Sequence, residues 1–139
     1  MLHLELITLL GEKVNEPVYE VVLPTLDGEI GVFPGHESLV GVAVSGVLSV
    51  RRKKDDKDFE FFAISGGVIE IGKDHVRVLV DEADAGDDIV EAESRKALDA
   101  AIRLRDQAQG QVELEKAAQL IDRHAVRLKV AELHRHHRR

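Results

Sequence analysis

The chain has no cysteine and no tryptophan among its 139 residues, and only 4% of them are aromatic. The missing thiols exclude disulfides, zinc–thiolate sites and thiol catalysis, and they fit a reducing compartment. The missing rings leave little from which to build a base-stacking platform. No apolar run approaches the roughly 18 residues of a membrane-spanning helix, so no direct bilayer insertion is expected. The opening "MLHLELITLL" has no basic region and breaks at Gly11, so it does not read as a signal peptide. An excess of positive charge is also lacking. The net charge is −7; residues 1–86 carry 8 basic and 16 acidic side chains, and residues 87–139 carry 11 and 10. An acidic front half argues against nucleic acid as a partner, because phosphate neutralisation needs a basic face. The uneven split predicts two structural halves with different partners.

Catalytic constellations are equally scarce. Gly28, Gly31 and Gly35 are spaced G-x-x-G-x-x-x-G, which is neither the dinucleotide fingerprint nor the P-loop. No serine sits in a G-x-S-x-G elbow. His36-Glu37 is a lone acid–base pair on a loop with no nucleophile beside it. The expectation is a chain with no catalytic residues, no cofactor and no metal of its own.

What the sequence does contain is two periods. Up to about Val80 apolar residues alternate: Leu2/Leu4/Leu6, Tyr19/Val21/Leu23, Val42/Val44, Phe59/Phe61/Ala63 and Val76/Val78/Val80. Short strands with turn signals every eight to twelve residues predict an antiparallel β-sandwich or flattened barrel. "RRKKDDKD" (51–58) reads as a solvated hairpin tip, since acids follow the bases at once. Gly66-Gly67 marks a positive φ or a close backbone approach. In "GEIGVFPGHESLVG" (28–41), Phe33-Pro34-Gly35-His36 suits a type II turn, with proline presetting the second position and glycine accepting positive φ at the third. Ile30 and Val32 then anchor the loop in the core, and Glu29, His36 and Glu37 are displayed at one rim as a docking surface.

After Asp81 the period becomes helical. In the acid-rich "DEADAGDD" (81–88), Asp88 is expected to N-cap a helix with Glu91 as its capping-box partner. A calcium loop is the weaker reading, because the ligand spacing and closing glutamate of an EF-hand are missing. Two helices of about 20 residues, roughly 30 Å each, joined near Gln109-Gly110, predict an antiparallel hairpin with an alanine-rich seam. The terminal "HRHHRR" (134–139) reads as a frayed, solvated helix end in preference to a metal site. The fold class is therefore α+β, with a sandwich over 1–86 and a helical hairpin over 87–139.

"GEIGVFPGHESLV" resembles the signature loop of the epsilon subunit of rotary F-type ATP synthases. "FAISGGVIEIGKDHVRVLVDEAD" is similar to that family's S-G-G strand pair, and "RLKVAEL" (127–133) to its final helix. The resemblance runs through nearly the whole chain in the right order. It implies a non-catalytic central-stalk subunit that couples proton flow to ATP synthesis. Its implied partners are the gamma subunit, the ring of c subunits, and the alpha/beta catalytic head, which the hairpin reaches to inhibit hydrolysis. By motif position, Glu29, His36 and Glu37 face the c ring, and Ser65 meets gamma. The implied place is the cytoplasmic face of a bacterial cell membrane; with no transit peptide before Met1, the organellar counterpart is the second choice. Some relatives bind ATP through an [IL]-D-x-x-R-A motif. Aligned on Ile89, Val90 stands here for the aspartate and Glu93 for the arginine, so ATP binding is not expected. The alternatives are a free-standing regulatory or ligand-binding sandwich with a helical appendage, and, further off, an enzyme built on His36 and Glu37.

Overall fold

The computed structural model describes residues 1–137, the side chain of His137 apart. Ten strands precede two helices: β1 (Leu2–Thr8), β2 (Gly11–Val18), β3 (Glu20–Thr25), β4 (Gly28–Val32), β5 (Leu39–Ala43), β6 (Gly46–Arg51), β7 (Glu60–Ile64), β8 (Gly67–Ile71), β9 (His75–Val80) and β10 (Ala83–Ala85). A 3₁₀ turn at Gly86–Asp88 leads to α1 (Glu91–Asp106) and α2 (Gln111–His137). The sheet order is β10-β7-β6-β3-β5-β8-β9-β1-β2, with β4 hydrogen-bonded to β3. Every pairing is antiparallel except one: β1 lies parallel to β9, with Leu4 beside Val76 and Leu6 beside Val78. That contact brings the first strand against one some seventy residues later and nearly closes the sandwich.

Alternation explains why these segments are strands. Leu2, Leu4 and Leu6 of β1 and Val76 and Val78 of β9 have no exposed surface, while His3, Arg77 and their neighbours point outward. Two segments depart from the expected phase. On β5 the inward residue is Ala43, and Val42 faces out, half exposed. On β7 both faces are buried: Phe62 and Ile64 enter the sandwich core, whereas Phe61 and Ala63 face the helices. Because one element covers each face, β7 reads as a continuous apolar run. The sandwich core is built entirely from residues between Leu2 and Ala85 and borrows nothing from the hairpin.

The hairpin differs from expectation in length and in its caps. Its helices have 16 and 27 residues. Val90, not Asp88, occupies the N-cap of α1, and it makes no side-chain capping bond. The reaching glutamate belongs to α2 instead, where Glu113 accepts the N–H of Gln109 at 3.1 Å. The seam is made of small residues, with Ser94, Ala101 and Ala117 buried, and Arg95–Glu132 and Arg135–Glu91 pairs (3.6 and 3.4 Å) cross it. The end of α2 remains helical and is docked at His134, which packs on the 3₁₀ turn with its Nε2 2.7 Å from Asp87 Oδ1, while Arg135 and His136 are exposed as anticipated. That contact lies off the line of a well-directed hydrogen bond. Arg138 and Arg139 of the terminal basic run lie outside the described residues.

Candidate functional site

The residues singled out from sequence fall at two ends of the sandwich. At one end, the loop after β4 forms the expected turn: Gly35 has φ +88°, and the His36 N–H reaches the Phe33 carbonyl at 3.3 Å. The loop is fastened from both sides. Gly35 N–H donates to Lys73 O at 2.8 Å, and Phe33 meets the Tyr19 ring edge-on at 5.6 Å. The ring of His36 is held through Nδ1 to the Glu37 carbonyl at 2.6 Å. Glu37 is exposed, and Ile30 and Val32 pack on the core as anticipated.

Glu29 is not on that rim. It pairs with Pro24 beside the β3–β4 turn, and the chain then traverses β4, at about 3.3 Å per residue, before reaching His36. Alternation and turn chemistry do not reveal which end of a strand a charged residue occupies, so the one-rim expectation is corrected: His36 and Glu37 lie beyond one end of β4 and Glu29 sits near the other.

The opposite end carries Ser65. Its N–H donates to the Glu82 carbonyl at 3.1 Å, and the Glu82 N–H donates to Ser65 Oγ at 3.0 Å. Ser65 thus clamps the β7–β8 turn to the entrance of β10. It also borders a cavity of about 430 Å³ between sandwich and hairpin, with Ser45, Glu82 and Asp84 on one wall and Gln119, Arg123 and Arg127 on the other.

Across this end α2 meets the sandwich. An apolar patch joins Phe61, Ala63 and Ile89 to Val130 and Ala131, with Val126 and Leu133 at its border. Beside it Arg123 pairs with Glu82, and Arg127 with Asp84. Glu82 and Asp84 of "DEADAGDD" are therefore partners of α2 rather than caps of α1. Burial of His124, reinforced by the adjacent Arg123 and Arg127 guanidiniums, lowers its pKa from the ordinary histidine value; Glu82 opposes this weakly.

A third surface was not anticipated. Val42, Val68 and Leu79 are cross-strand neighbours on the outer face of β5, β8 and β9. They are 50, 43 and 38% exposed and form an apolar row, which Val40, 74% exposed, extends along β5. The row below it is ionic, where Arg77 lies between Glu70 and Glu5. The alternation around Val42 held this signal, had its phase been known.

Little here suits a nucleotide. Val90 and Glu93 are both exposed at the start of α1, and the guanidiniums of Arg123 and Arg127 already hold carboxylates. Glu93 adds negative charge where a phosphate would need a cation. Titration calorimetry of the full chain with ATP is expected to give a Kd weaker than about 1 mM; micromolar binding would overturn this. Among the described residues no three His, Cys, Asp or Glu side chains are grouped to hold a metal ion, and no helix is long and apolar enough to cross a membrane.

Comparison with known proteins places this architecture. The family described as "ATP synthase, Delta/Epsilon chain, beta-sandwich domain" matches residues 1–86. The ATP synthase epsilon chain of Synechococcus elongatus is 40% identical over 83 residues, which are 60% of this chain and 58% of that relative. ATP synthase epsilon chain 2 of Syntrophotalea carbinolica is 33% identical over 131 residues, 94% of this chain and 93% of that one. Among solved structures, a chain of the Euglena gracilis mitochondrial ATP synthase (OSCP/F1/c-ring) superposes with a TM-score of 0.80 at 25% identity, covering 94% of this chain and 81% of its own. A chain of the Tetrahymena thermophila mitochondrial ATP synthase central stalk and c-ring shares the fold, at TM-score 0.58 and 14% identity. A ten-stranded sandwich closed by a parallel β1–β9 contact, followed by a docked two-helix hairpin, is thus accounted for along almost its whole length: the chain belongs to the ATP synthase epsilon chain family.

Proposed function

We propose that this chain is a non-catalytic rotor subunit of a proton-translocating ATP synthase, joined to the central stalk at the cytoplasmic face of the membrane. The observation that carries the reading is the surface of the sandwich. A rigid, doubly fastened turn lies at one end and an apolar row runs along one face, and together they offer two surfaces on which partners can seat. Residues 1–86 form the docking unit and residues 87–139 the regulatory one. His36 and Glu37 present a fixed acid–base pair to the polar loops of the c ring, with Glu29 contributing from the other end of β4. Gamma takes the apolar row and the Ser65 end. The hairpin reaches the alpha/beta head and restrains hydrolysis. Because Ser65 borders the cavity under α2, access to it depends on where the hairpin lies.

The test is ATP hydrolysis by an epsilon-free catalytic head from the same source, with the full chain or a version ending at Gly86 added back. The shorter version retains the whole sandwich core. Both are expected to bind, and only the full chain to inhibit. Equal activity with both bound removes the inhibitory role and leaves the stalk role. Failure of both to bind would favour a free-standing sandwich protein.

A further inference from the structure

We propose that Glu82 and Asp84, facing Arg123 and Arg127, form a two-rung electrostatic latch that fixes the register of the docked hairpin and makes its docking sensitive to ionic strength. This rests on the reading of the hairpin as a movable regulatory element.

Geometry supplies the first argument. Glu82, just before β10, and Asp84, within it, are two residues apart, and Ala83 between them is buried in the core. Both carboxylates therefore point away from the core, about 6.6 Å apart along the strand. Arg123 and Arg127 are four residues apart on α2, a rise of about 6.0 Å. Strand and helix spacings coincide, so both pairs form in one register. No neighbouring register keeps both. If α2 slid one turn so that Arg127 met Glu82, Ala131 would face Asp84. If it slid the other way, Arg123 would meet Asp84 and Gln119 would face Glu82. Either slide loses a pair and strands a charge.

The second argument is what else holds the hairpin. The apolar patch between α2 and β7 consists of a few side chains, mainly Phe61, Ala63, Val130 and Ala131. So small a patch adds little to the choice of register. The Arg127–Asp84 side chains are about a quarter exposed and those of Arg123–Glu82 nearly half. Screening over a Debye length of about 10 Å at 0.1 M salt therefore reaches the outer rung fully and the inner one in part. A third contact, His134 with Asp87, extends the ladder to the 3₁₀ turn.

The test uses the full chain. It has no native cysteine, so Asp27→Cys and Gln109→Cys give one label on the sandwich and one at the hairpin turn. Fluorescence transfer between them reports docking. Arg127→Glu is expected to lower the docked-to-undocked ratio on the order of tenfold, and 0.5 M sodium chloride should move the parent chain in the same direction. The exchange variant Asp84→Arg with Arg127→Asp should restore docking. An unchanged distance in Arg127→Glu at every salt concentration overturns the latch, as does an exchange variant that stays undocked. Sandwich melting followed in parallel separates undocking from unfolding. Since no ATPase is involved, failure here leaves the rotor reading standing, and failure of the add-back assay leaves the latch standing.

Discussion

Replacing Gly67 with alanine is expected to cost the sandwich about 3 kcal/mol, at the upper end of what overpacking usually costs. For a domain of this size that is roughly 12–24 °C in melting temperature. A Cβ at this position would lie 1.9 Å from the Leu79 carbonyl oxygen and 2.9 Å from its carbon, with Val80 Cγ1 also 2.9 Å away. The first two are backbone atoms of the adjoining strand, so no side-chain rotation makes room. Gly67 opens β8, paired to Val80 on one side and Ala43 on the other, so relief requires parting β8 from β9 in the middle of the sheet. Gly41→Ala is the matched control. It lies on the neighbouring strand with open space where its Cβ would go, and it should change stability by no more than about 0.5 kcal/mol. Thermal melts of the two variants decide the matter. A Gly67→Ala protein melting within two or three degrees of the parent would show that the strands yield more easily than close packing allows.

The same glycine shows how far the sequence could be read. Gly66-Gly67 in "AISGGVIEI" announces either a positive φ or a close approach, and only coordinates choose between them: three glycines have positive φ, namely Gly11, Gly28 and Gly35, and Gly67 is not among them. Local chemistry was legible where it decides the outcome locally. The Phe33–His36 turn, the charged tip at 51–58 and the helix break before Gln111 depend on neighbours in sequence, and each formed as its residues dictate. What depended on distant partners was not. Alternation gives the period of a strand but not which of its faces is inward, so Val42 reads as core although it points out. The parallel contact of β1 with β9 leaves no local mark. The acids at 81–88 have two electrostatic uses, capping a helix or pairing with cations elsewhere. Sequence proximity favours the first, whereas the folded chain uses Glu82 and Asp84 for the second. The charged candidates at Glu29, His36 and Glu37 were found by motif, but their division between two ends of β4 required the register of the sheet.

Gly86→Val is expected to do the opposite of Gly67→Ala, releasing the hairpin while sparing the sandwich. Gly86 is buried at the 3₁₀ turn, and a Cβ there would stand 2.6 Å from His134 Cβ and 2.8 Å from its Cγ. The ring of His134 can rotate, but its Cβ is fixed by the backbone of α2, so the helix itself has to move. Valine adds two methyls to the conflict, and the displaced helix carries Val130 and Leu133 off Phe61. The main sandwich core has no such dependence, because it draws nothing from beyond Ala85, and only the outer side chains of β7, Phe61 and Ala63, lose their cover. Amide exchange along 126–133 should therefore rise at least tenfold, as local opening becomes cheaper without global unfolding. The sandwich melt should stay within about 2 °C of the parent, which corresponds to less than 1 kcal/mol. Hydrogen exchange followed by mass spectrometry, with melting in parallel, reads both quantities. Unchanged exchange in α2 would mean that the helix end accommodates the branched side chain. A sandwich that melts early would mean that the two units are one cooperative fold, and a hairpin so coupled could not serve as a movable regulator.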